Sequence, residues 1–353
     1  MKDVVVITGS SGLIGSALAR ELFNDYTVVG LDIIQSDNAC IADWIHTDFT
    51  DTASVNAAFE SIRKKHGDRL AGVIHMVAYY DFTGEESSLY DALTIEGTRR
   101  VLTALSDFKV GQFAYTSTHL VHAPCEIGEK IQEISPLEGK WQYPQSKIKV
   151  EKLIEETPTD FNSIIYRISG VYDDYCNSFP ISRQIRRIYE RSITSAVYPG
   201  DLRTHQPFVH LNDVVNAIKL GFLQRDKFDT NRTFLIGEPD AASYGDLQRK
   251  ISKCIYGEEW ETEEIPKELA KAGAWMQDLL PADSSIKPWM IELADDNYEL
   301  DISRAVLHLN WHPVHRVLPI VEHMVAALKE DPAEWYHHHD LAVASELEAL
   351  AKK

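Results

Sequence analysis

A glycine-rich loop between a short apolar run and an amphipathic segment restricts the fold of this chain most strongly. Residues 4–7 are Val-Val-Val-Ile, a β-branched run typical of a buried parallel strand. Glycines follow at positions 9, 12 and 15, and apolar residues then recur at helical spacing up to Phe23. A strand, a glycine loop and a helix in this order predict an α/β fold, a doubly wound parallel sheet of the Rossmann-like type.

The same loop predicts a dinucleotide site. Gly9 permits the tight turn, Gly12 lets the backbone approach a pyrophosphate, and Gly15 lets the helix pack closely on the strand. The free N–H groups at the start of the helix then attract phosphates. The predicted cofactor-binding residues of the loop are Gly9, Ser11, Gly12, Leu13, Ile14 and Gly15. The alternative is a glycine turn in an ordinary strand–helix unit.

An aspartate at the end of the second predicted strand favours NAD as the cofactor. Residues 26–32 form another apolar run, which ends in Asp32. This carboxylate can bind both ribose hydroxyls of NAD and would repel the 2′-phosphate of NADP. No Arg or Lys follows up to Cys40 to neutralise that phosphate. Asp48 is predicted near the adenine. The alternative for Asp32 is a strand-end acid that faces solvent.

A tyrosine and a lysine four residues apart predict acid–base chemistry. Tyr143 and Lys147 share one helix face. A nearby ammonium group lowers the pKa of a phenol, which can then take a proton from an alcohol as hydride leaves carbon. Residues 112–118 form a predicted strand whose hydroxyl-rich end supplies Thr118, or less favourably Ser117, to orient the substrate oxygen. The alternatives are a surface helix pair and a hydroxyl that caps the strand.

Taken in order, these motifs resemble the extended short-chain dehydrogenase/reductases, also called the NAD-dependent epimerase/dehydratase family. The resemblance implies NAD as cofactor, with Lys147 also binding the nicotinamide ribose, and a homodimer formed by the helix at 89–105 and the helix that bears Tyr143. It rests on the loop, Asp32, Asp48, residues 73–78 with Ala78 at the cofactor, Ser117-Thr118, Tyr143 and Lys147, residues 167–172, residues 208–215, and residues 301–313.

Departures from the family pattern bear on the substrate. Acidic residues follow the catalytic hydroxyl in the family's dehydratases, whereas His119 and Leu120 stand here, and Leu120 is neither an acid nor a base. The Asn and Arg that help hold a sugar diphosphate in nucleotide-sugar enzymes are replaced by Gly170 and Gln206. A third replacement puts threonine at position 94, where the family commonly has Asn. The candidate substrate residues are His119, Arg203 and Gln206, and residues 183, 186 and 187 are arginines that could compensate for the lost charge.

The sequence therefore predicts an NAD-dependent oxidoreductase that transfers hydride at a secondary alcohol or ketone, with Tyr143 as the acid/base. The departures favour a substrate other than a nucleotide sugar. One alternative is a nucleotide-sugar epimerase, in which the hydride returns to the other face of the substrate. A second alternative is an NAD-sensing protein without chemistry.

Composition limits the partners and the compartment. The 353 residues carry 54 acidic and 35 basic side chains, a net charge of −19, which disfavours nucleic acid and anionic membranes as partners. The four cysteines form no CxxC pair, and His337 to His339 lack a framing cluster, so no metal site is predicted. No signal peptide or membrane segment is evident, and a cytoplasmic protein is expected.

The change in composition along the chain after residue 172 predicts two lobes. We expect a dinucleotide-binding domain over residues 1–172, to which residues 206–239 return. Residues 173–205 and 240–330 are expected to form a smaller, mainly helical substrate lobe, and residues 331–353 a C-terminal helical tail.

Overall fold

Seven parallel strands form the central sheet of the computed structural model, which describes residues 2–35, 37–81, 85–228, 230–271 and 288–341. The sheet consists of β1 (Val4–Thr8), β2 (Thr27–Asp32), β3 (Asp43–His46), β5 (Gly72–His75), β7 (Gln112–Thr118), β8 (Asn162–Ile168) and β13 (Arg232–Ile236). Their spatial order, β13-β8-β7-β5-β1-β2-β3, changes direction between β1 and β5, as in doubly wound sheets. The predicted fold class is confirmed.

Helices cover both faces of the sheet because its strands are apolar on both sides. Val5 and Ile7 of β1 pack on one face, and Val4 and Val6 pack on the other. The first face carries α1 (Leu13–Leu22), α6 (Leu211–Leu223) and α9 (Ser303–Leu309). The second face carries α2 (Thr52–His66), a π-helical turn (Tyr90–Ile95) that continues as α3 (Glu96–Ala104), and α4 (Gln142–Glu156).

A third apolar cluster forms the smaller lobe. It is built mainly from helices α5 (Phe179–Tyr189), α7 (Tyr244–Tyr256), α10 (Val317–Glu330) and α11 (Pro332–His338). A short helix, α8 (Pro288–Glu292), precedes the segment that returns to the main sheet. Short pairs complete the described structure: β4 (Arg69–Leu70) with β6 (Lys109–Val110), β9 (Gly170–Tyr172) with β12 (Phe208–His210), β10 (Val197–Tyr198) with β15 (Glu263–Glu264), and β11 (His205–Gln206) with β14 (Ala242–Ser243).

The packing divides the chain differently from the sequence-based boundaries. Residues 298–311, expected in the substrate lobe, pack under the main sheet, where Trp311 donates its Nε1–H to the carbonyl of Asp213. Residues 332–341, expected to form part of a separate tail, bury Trp335 and Tyr336 in the core of the smaller lobe. We therefore assign these two stretches by their buried apolar contacts. The helix predicted over residues 341–353 lies outside the described residues from residue 342 onward.

Candidate active site

The glycine loop forms an open cradle at the start of α1. Gly9 has a φ of +71°, and a Cβ at Gly15 would overlap the carbonyl oxygen of Gly9. Gly12 is the N-terminal capping residue of α1 and provides no side-chain cap, so the first N–H groups of the helix face outward beside Leu13 and Ile14. The space that side chains would fill suits a pyrophosphate, and the loop fits the predicted dinucleotide.

Asp32 closes one side of this loop. Its carboxylate accepts hydrogen bonds from the backbone N–H of Ser11 at 2.9 Å and of Ile34 at 3.2 Å. The carboxylate therefore stands at the end of β2, next to the glycine loop, where a ribose would lie. A neighbouring open pocket is lined by Ser11, Ser16, Arg20, Asp37, Asn38 and Ala39. Arg20, which precedes Asp32 in the sequence, lines this pocket and provides a cation there. The absence of Arg and Lys described for the sequence applies only to the residues between Asp32 and Cys40.

Two further predicted cofactor residues, Asp48 and Ala78, lie at the same edge of the sheet. Asp48 follows β3, and its Oδ1 accepts hydrogen bonds from the N–H and the hydroxyl of Thr50, which hold the pKa of the carboxyl below its usual value. Ala78 follows β5, beside Val77, whose backbone nitrogen lies near the position of a Cβ on Gly9. Both residues therefore end strands that neighbour the strand–loop unit of the cofactor site.

A buried polar chain that sequence reasoning missed supports this edge. The hydroxyl of Thr8 lies 2.7 Å from Nδ1 of His75, whose Nε2 lies 3.0 Å from the hydroxyl of Thr98. Thr98 donates to the carbonyl of Thr94, so its oxygen accepts the Nε2–H of His75. Burial, with the nearby Lys147, lowers the pKa of His75 to about 3, so the ring stays neutral. The hydroxyl of Thr94 accepts the N–H of Tyr79.

The structure brings Tyr143, Lys147 and Thr118 together. The side chain of Thr118 lies beside the phenol of Tyr143 and lowers its pKa, which opposes the effect of burial. Lys147 is 3% exposed, its Nζ donates to the carbonyl of Thr116 at 2.8 Å, and it lies 5.7 Å from the centre of the Tyr143 ring. Burial lowers the pKa of Lys147 to about 7, against the effect of Glu151, and burial raises the pKa of Tyr143.

Ser117, the other candidate hydroxyl, points elsewhere. Its Oγ donates to Glu151 at 2.5 Å in a buried network. Its partner is therefore a carboxylate on α4 and not the phenol of Tyr143. Of the two hydroxyls that the sequence offered, the geometry favours Thr118 as the one that meets a substrate oxygen.

Tyr80 contacts Tyr143, and His119 lies in a buried position directly after Thr118. The ring of Tyr80 meets that of Tyr143 edge-on at 4.8 Å and is half exposed. His119 is buried, its Nδ1 lies 3.4 Å from the carbonyl of Ile168, and its ring meets Tyr298 at 5.5 Å. Its Nε2 has no hydrogen-bond partner among the described residues. Burial lowers the pKa of His119 to about 4, which makes it a neutral group at neutral pH.

The positions that depart from the family pattern make contacts within the protein. A Cβ on Gly170 would lie 2.9 Å from the ring of Phe208, so an amide side chain cannot stand there unless Phe208 moves. Gln206 donates its Nε2–H to the carbonyl of Asp296 at 3.2 Å. Arg203 is exposed and pairs with Asp201 at 2.6 Å, within its own turn.

The arginines of α5 also have protein partners. Arg183 donates to the carbonyl of His339 and lies over the ring of Phe179, and Arg186 pairs with Glu190. Arg187 donates to the hydroxyl of Tyr244 at 3.2 Å. None of these contacts directs an arginine towards Tyr143 in the described part of the chain.

The fold and the grouping of Tyr143, Lys147 and Thr118 beside a glycine-loop cofactor site define an NAD-dependent enzyme of the Rossmann type. The model of the NAD dependent epimerase/dehydratase family matches residues 5–237, and the chain belongs to this family. Comparison with curated proteins gives no match. The family assignment confirms NAD as the cofactor and confirms the predicted resemblance.

Solved structures confirm the fold. A UDP-glucose 4-epimerase superposes with a TM-score of 0.70 at 17% identity, covering 94% of this chain and 98% of that one. The UDP-glucose 4-epimerase of Thermus thermophilus, in complex with NAD, gives a TM-score of 0.70 at 18% identity, with 93% and 99% covered. The UDP-glucuronic acid 4-epimerase of Bacillus cereus gives 0.68 at 17% identity, with 93% and 99% covered.

The described residues also bear on membranes and metals. Among them, no helix has the length and apolar character to cross a bilayer. The same residues contain no group of three His, Cys, Asp or Glu side chains arranged to hold a metal ion. His338 and His339 instead contact Asn177 and the carbonyl of Tyr175.

Proposed function

We propose that the protein oxidises a secondary alcohol, or reduces the matching ketone, with Tyr143 as the acid/base. The observation that carries this proposal is the grouping of Tyr143 and Thr118 with the buried Lys147, whose Nζ lies 5.7 Å from the centre of the Tyr143 ring. NAD, when bound, accepts the hydride from the carbon that carries the hydroxyl. The proton of that hydroxyl passes to the phenolate oxygen of Tyr143, while Thr118 holds the substrate oxygen. In the reductive direction, Tyr143 returns the proton to the carbonyl oxygen.

Lys147 supplies positive charge in this scheme. Its ammonium form stabilises the phenolate of Tyr143 and can bind a ribose hydroxyl of the cofactor. Because burial opposes the ammonium form, the charged state depends on neighbouring groups that favour it. This retained set of three residues supports an enzyme rather than an NAD-sensing protein without chemistry.

We infer that the substrate does not carry a diphosphate. Three basic side chains each pair with a carboxylate: Lys140 with Asp296 at 2.7 Å, Lys267 with Asp295 at 2.7 Å, and Arg203 with Asp201. A buried diphosphate needs charge-assisted hydrogen bonds, and each one lost costs about 1.5–3 kcal/mol. Uncharged or singly charged alcohols and ketones fit this charge pattern better.

A nucleotide-sugar epimerase is the second candidate. The structures that resemble this chain over nearly its whole length are named as UDP-glucose or UDP-glucuronic acid 4-epimerases. In such a reaction the same tyrosine would act, but hydride would return to the substrate. Redox stoichiometry separates the two candidates, because an epimerase yields no net NADH.

The test begins without a chosen substrate. Purified protein is incubated with NAD and a metabolite extract, and mass spectrometry follows species that lose two hydrogens while NADH accumulates. Calorimetry then titrates the NAD complex with UDP-, dTDP- and GDP-linked sugars. Micromolar binding of any of them, with no net NADH, would replace the oxidoreductase proposal by the epimerase.

The proposal extends to assembly and compartment. We propose a cytoplasmic protein, since its cofactor is an intracellular dinucleotide, and cell fractionation tests this assignment. We also propose a homodimer formed across α3 and α4, which lie side by side on one flank of the sheet.

A further inference from the structure

Three successive turns of α4 contact three consecutive residues at the end of β7. The phenol of Tyr143 lies beside the side chain of Thr118, and Lys147 donates to the carbonyl of Thr116. One turn further along α4, Glu151 accepts the hydroxyl of Ser117 at 2.5 Å. We call these contacts the β7–α4 ladder. The proposed reaction uses the first two contacts and leaves the third without a role.

Arg167 of β8 holds Glu151 in place. The guanidinium donates to both carboxylate oxygens, with Nε at 3.1 and 3.2 Å and Nη2 at 2.6 Å. The two side chains are 5% and 7% exposed. Nη1 of Arg167 also donates to the carbonyl of Glu133 at 2.8 Å and lies 3.0 Å from Nε2 of His122. A buried ion pair with its remaining donors and acceptors satisfied is a rigid unit.

This unit also acts on the charge of Lys147. Burial lowers the pKa of Lys147 to about 7 although the Glu151 carboxylate acts in the opposite direction. The charged and titratable groups that surround Lys147 come from three elements: His75 of β5, Tyr115 of β7, and Tyr143 and Glu151 of α4, whose carboxylate pairs with Arg167 of β8. Glu151 is the member of this set whose negative charge favours the ammonium form at neutral pH.

We propose that Glu151, fixed by Arg167, is a positioning residue that favours the ammonium form of Lys147 and holds Thr118 in register with Tyr143. The proposal rests on the function proposed above and adds a residue to it. Ser117 lies between the two residues of β7 that face Lys147 and Tyr143, so its bond to Glu151 sets the distance between strand and helix at the reacting atoms. Glu151 itself touches neither the phenol nor the substrate oxygen.

The first test removes the charge of Glu151 and keeps its shape. E151Q should lower the pKa of the Lys147 ammonium group by about one unit or more, read by NMR of protein carrying ¹³C-labelled lysine. The signal that K147R lacks identifies Lys147. The alkaline limb of the kcat profile, where Lys147 loses its proton, should move to lower pH by the same amount. E155Q makes the same chemical change at an exposed position of α4 and should move neither quantity.

In E151Q, Arg167 loses its charged partner, and this loss can prevent folding. Two more variants test the proposal in that case. The double variant E151Q/R167Q removes both charges, and it should still lower the pKa of Lys147, by less than E151Q does. S117A should lower kcat several-fold while the pKa of Lys147 stays as in the wild type. Unchanged titration of Lys147 in E151Q, or in the double variant where E151Q is unfolded, overturns the proposal. So does an S117A enzyme with wild-type kcat.

The lysine titration needs no substrate, which separates this proposal from the proposed function. If no alcohol or ketone is turned over, the proposed function fails, yet the titration still decides whether Glu151 controls Lys147. If turnover is found and the titration is unmoved, only the role of Glu151 fails.

Discussion

At the scale of single residues, burial acts on Tyr143 and Lys147 against the charges that their proposed roles require. It raises the pKa of the phenol and lowers the pKa of the ammonium group. Without a cofactor, burial therefore favours the neutral phenol of Tyr143 and opposes the positive charge of Lys147. An oxidised nicotinamide beside them would favour the phenolate, and Glu151 favours the ammonium, so binding of the cofactor prepares the base.

Replacing Tyr143 by Phe tests the acid/base directly. Y143F keeps the ring against Tyr80 and loses the titrating oxygen, so turnover should fall by at least about 10²-fold while the affinity for NAD stays within a few-fold. Fluorescence titration and NADH formation measure the two quantities. Y166F serves as the control, because the Tyr166 hydroxyl is buried without a partner in the described structure and its loss should leave turnover unchanged. Wild-type turnover in Y143F would contradict the mechanism.

Asp32 and Arg20 allow a test of cofactor choice. D32A removes the carboxylate beside the glycine loop, which should weaken NAD binding and narrow its advantage over NADP, because the repulsion of a 2′-phosphate disappears. Arg20 lines the adjacent pocket, so D32A/R20A should lose the gain in NADP binding. Dissociation constants of both cofactors for the three proteins decide this. Tighter binding of NADP than NAD by the wild type would refute the role of Asp32.

The sequence predicts the main residues of the candidate site and leaves its support open. Motif spacing brings Tyr143, Lys147 and a hydroxyl together, yet two adjacent hydroxyls in one strand cannot be told apart without knowing which of them lies beside the phenol of Tyr143. Glu151 continues the spacing of Tyr143 and Lys147 on the same helix face, and this signal was available in the sequence. Its partner Arg167 comes from another strand, and such a non-local pairing is not visible in local patterns.

At the scale of elements, the apolar runs and glycine loops predict the sheet and its covering helices well. The helix expected over residues 89–105 instead begins as a π-helical turn at Tyr90 and becomes regular at Glu96. The paired strands of two or three residues near the entrance were not predicted, since they depend on contacts between distant segments. The spacing of apolar residues also could not assign residues 298–311 to the main sheet. An apolar helix face can pack equally well against the core of the sheet or the core of the smaller lobe.

The contact between β9 and β12 leads to a prediction for Gly170. G170N restores the amide of the nucleotide-sugar enzymes, but its Cβ would press on Phe208. Overpacking of this kind should lower the free energy of unfolding by about 1–3 kcal/mol. It should also fail to create micromolar binding of UDP-sugars, which calorimetry checks. G170N/F208A removes the ring on which the new Cβ would press and serves as the control. A G170N protein as stable as the wild type would contradict the close contact between residue 170 and Phe208.

At the scale of the whole molecule, the proposed dimer depends on charged helix surfaces. The outward faces of α3 and α4 carry Arg99, Arg100, Lys149, Lys152, Glu155 and Glu156. A two-fold pairing of such faces would be held by ion pairs rather than by an apolar stripe, so we expect a dimer that weakens as salt rises. Light scattering at micromolar concentration in low and high salt measures this. A monomer mass at low salt would rule the dimer out.

A buried glutamate, Glu238, between the main sheet and the smaller lobe predicts that the stability of the protein depends on pH. Glu238 is buried, bonds to the hydroxyl of Tyr172 and the N–H of Val317, and has its pKa raised from 4.5 to about 7, chiefly by burial. Because the folded state holds this proton more tightly, the contribution of Glu238 to stability is present below pH 4.5 and is lost as the pH rises through 7.

E238Q resembles the protonated form and should remove this loss. At pH 8 the variant should be more stable than the wild type, by up to about 3 kcal/mol, and at pH 5 the difference should shrink. Urea unfolding at both pH values measures it. E258Q, a change at an exposed glutamate, should show no such dependence. Equal stability of E238Q and the wild type at pH 8 would contradict the raised pKa.

The ion pair between Lys140 and Asp296 has an evolutionary consequence. Lys140 lies three residues before the catalytic tyrosine, and one carboxylate neutralises it. A single codon change from Asp296 to Asn would release this cation without touching the residues that move the proton. Such a change would alter the charge of this region while the residues proposed to move the proton are inherited intact.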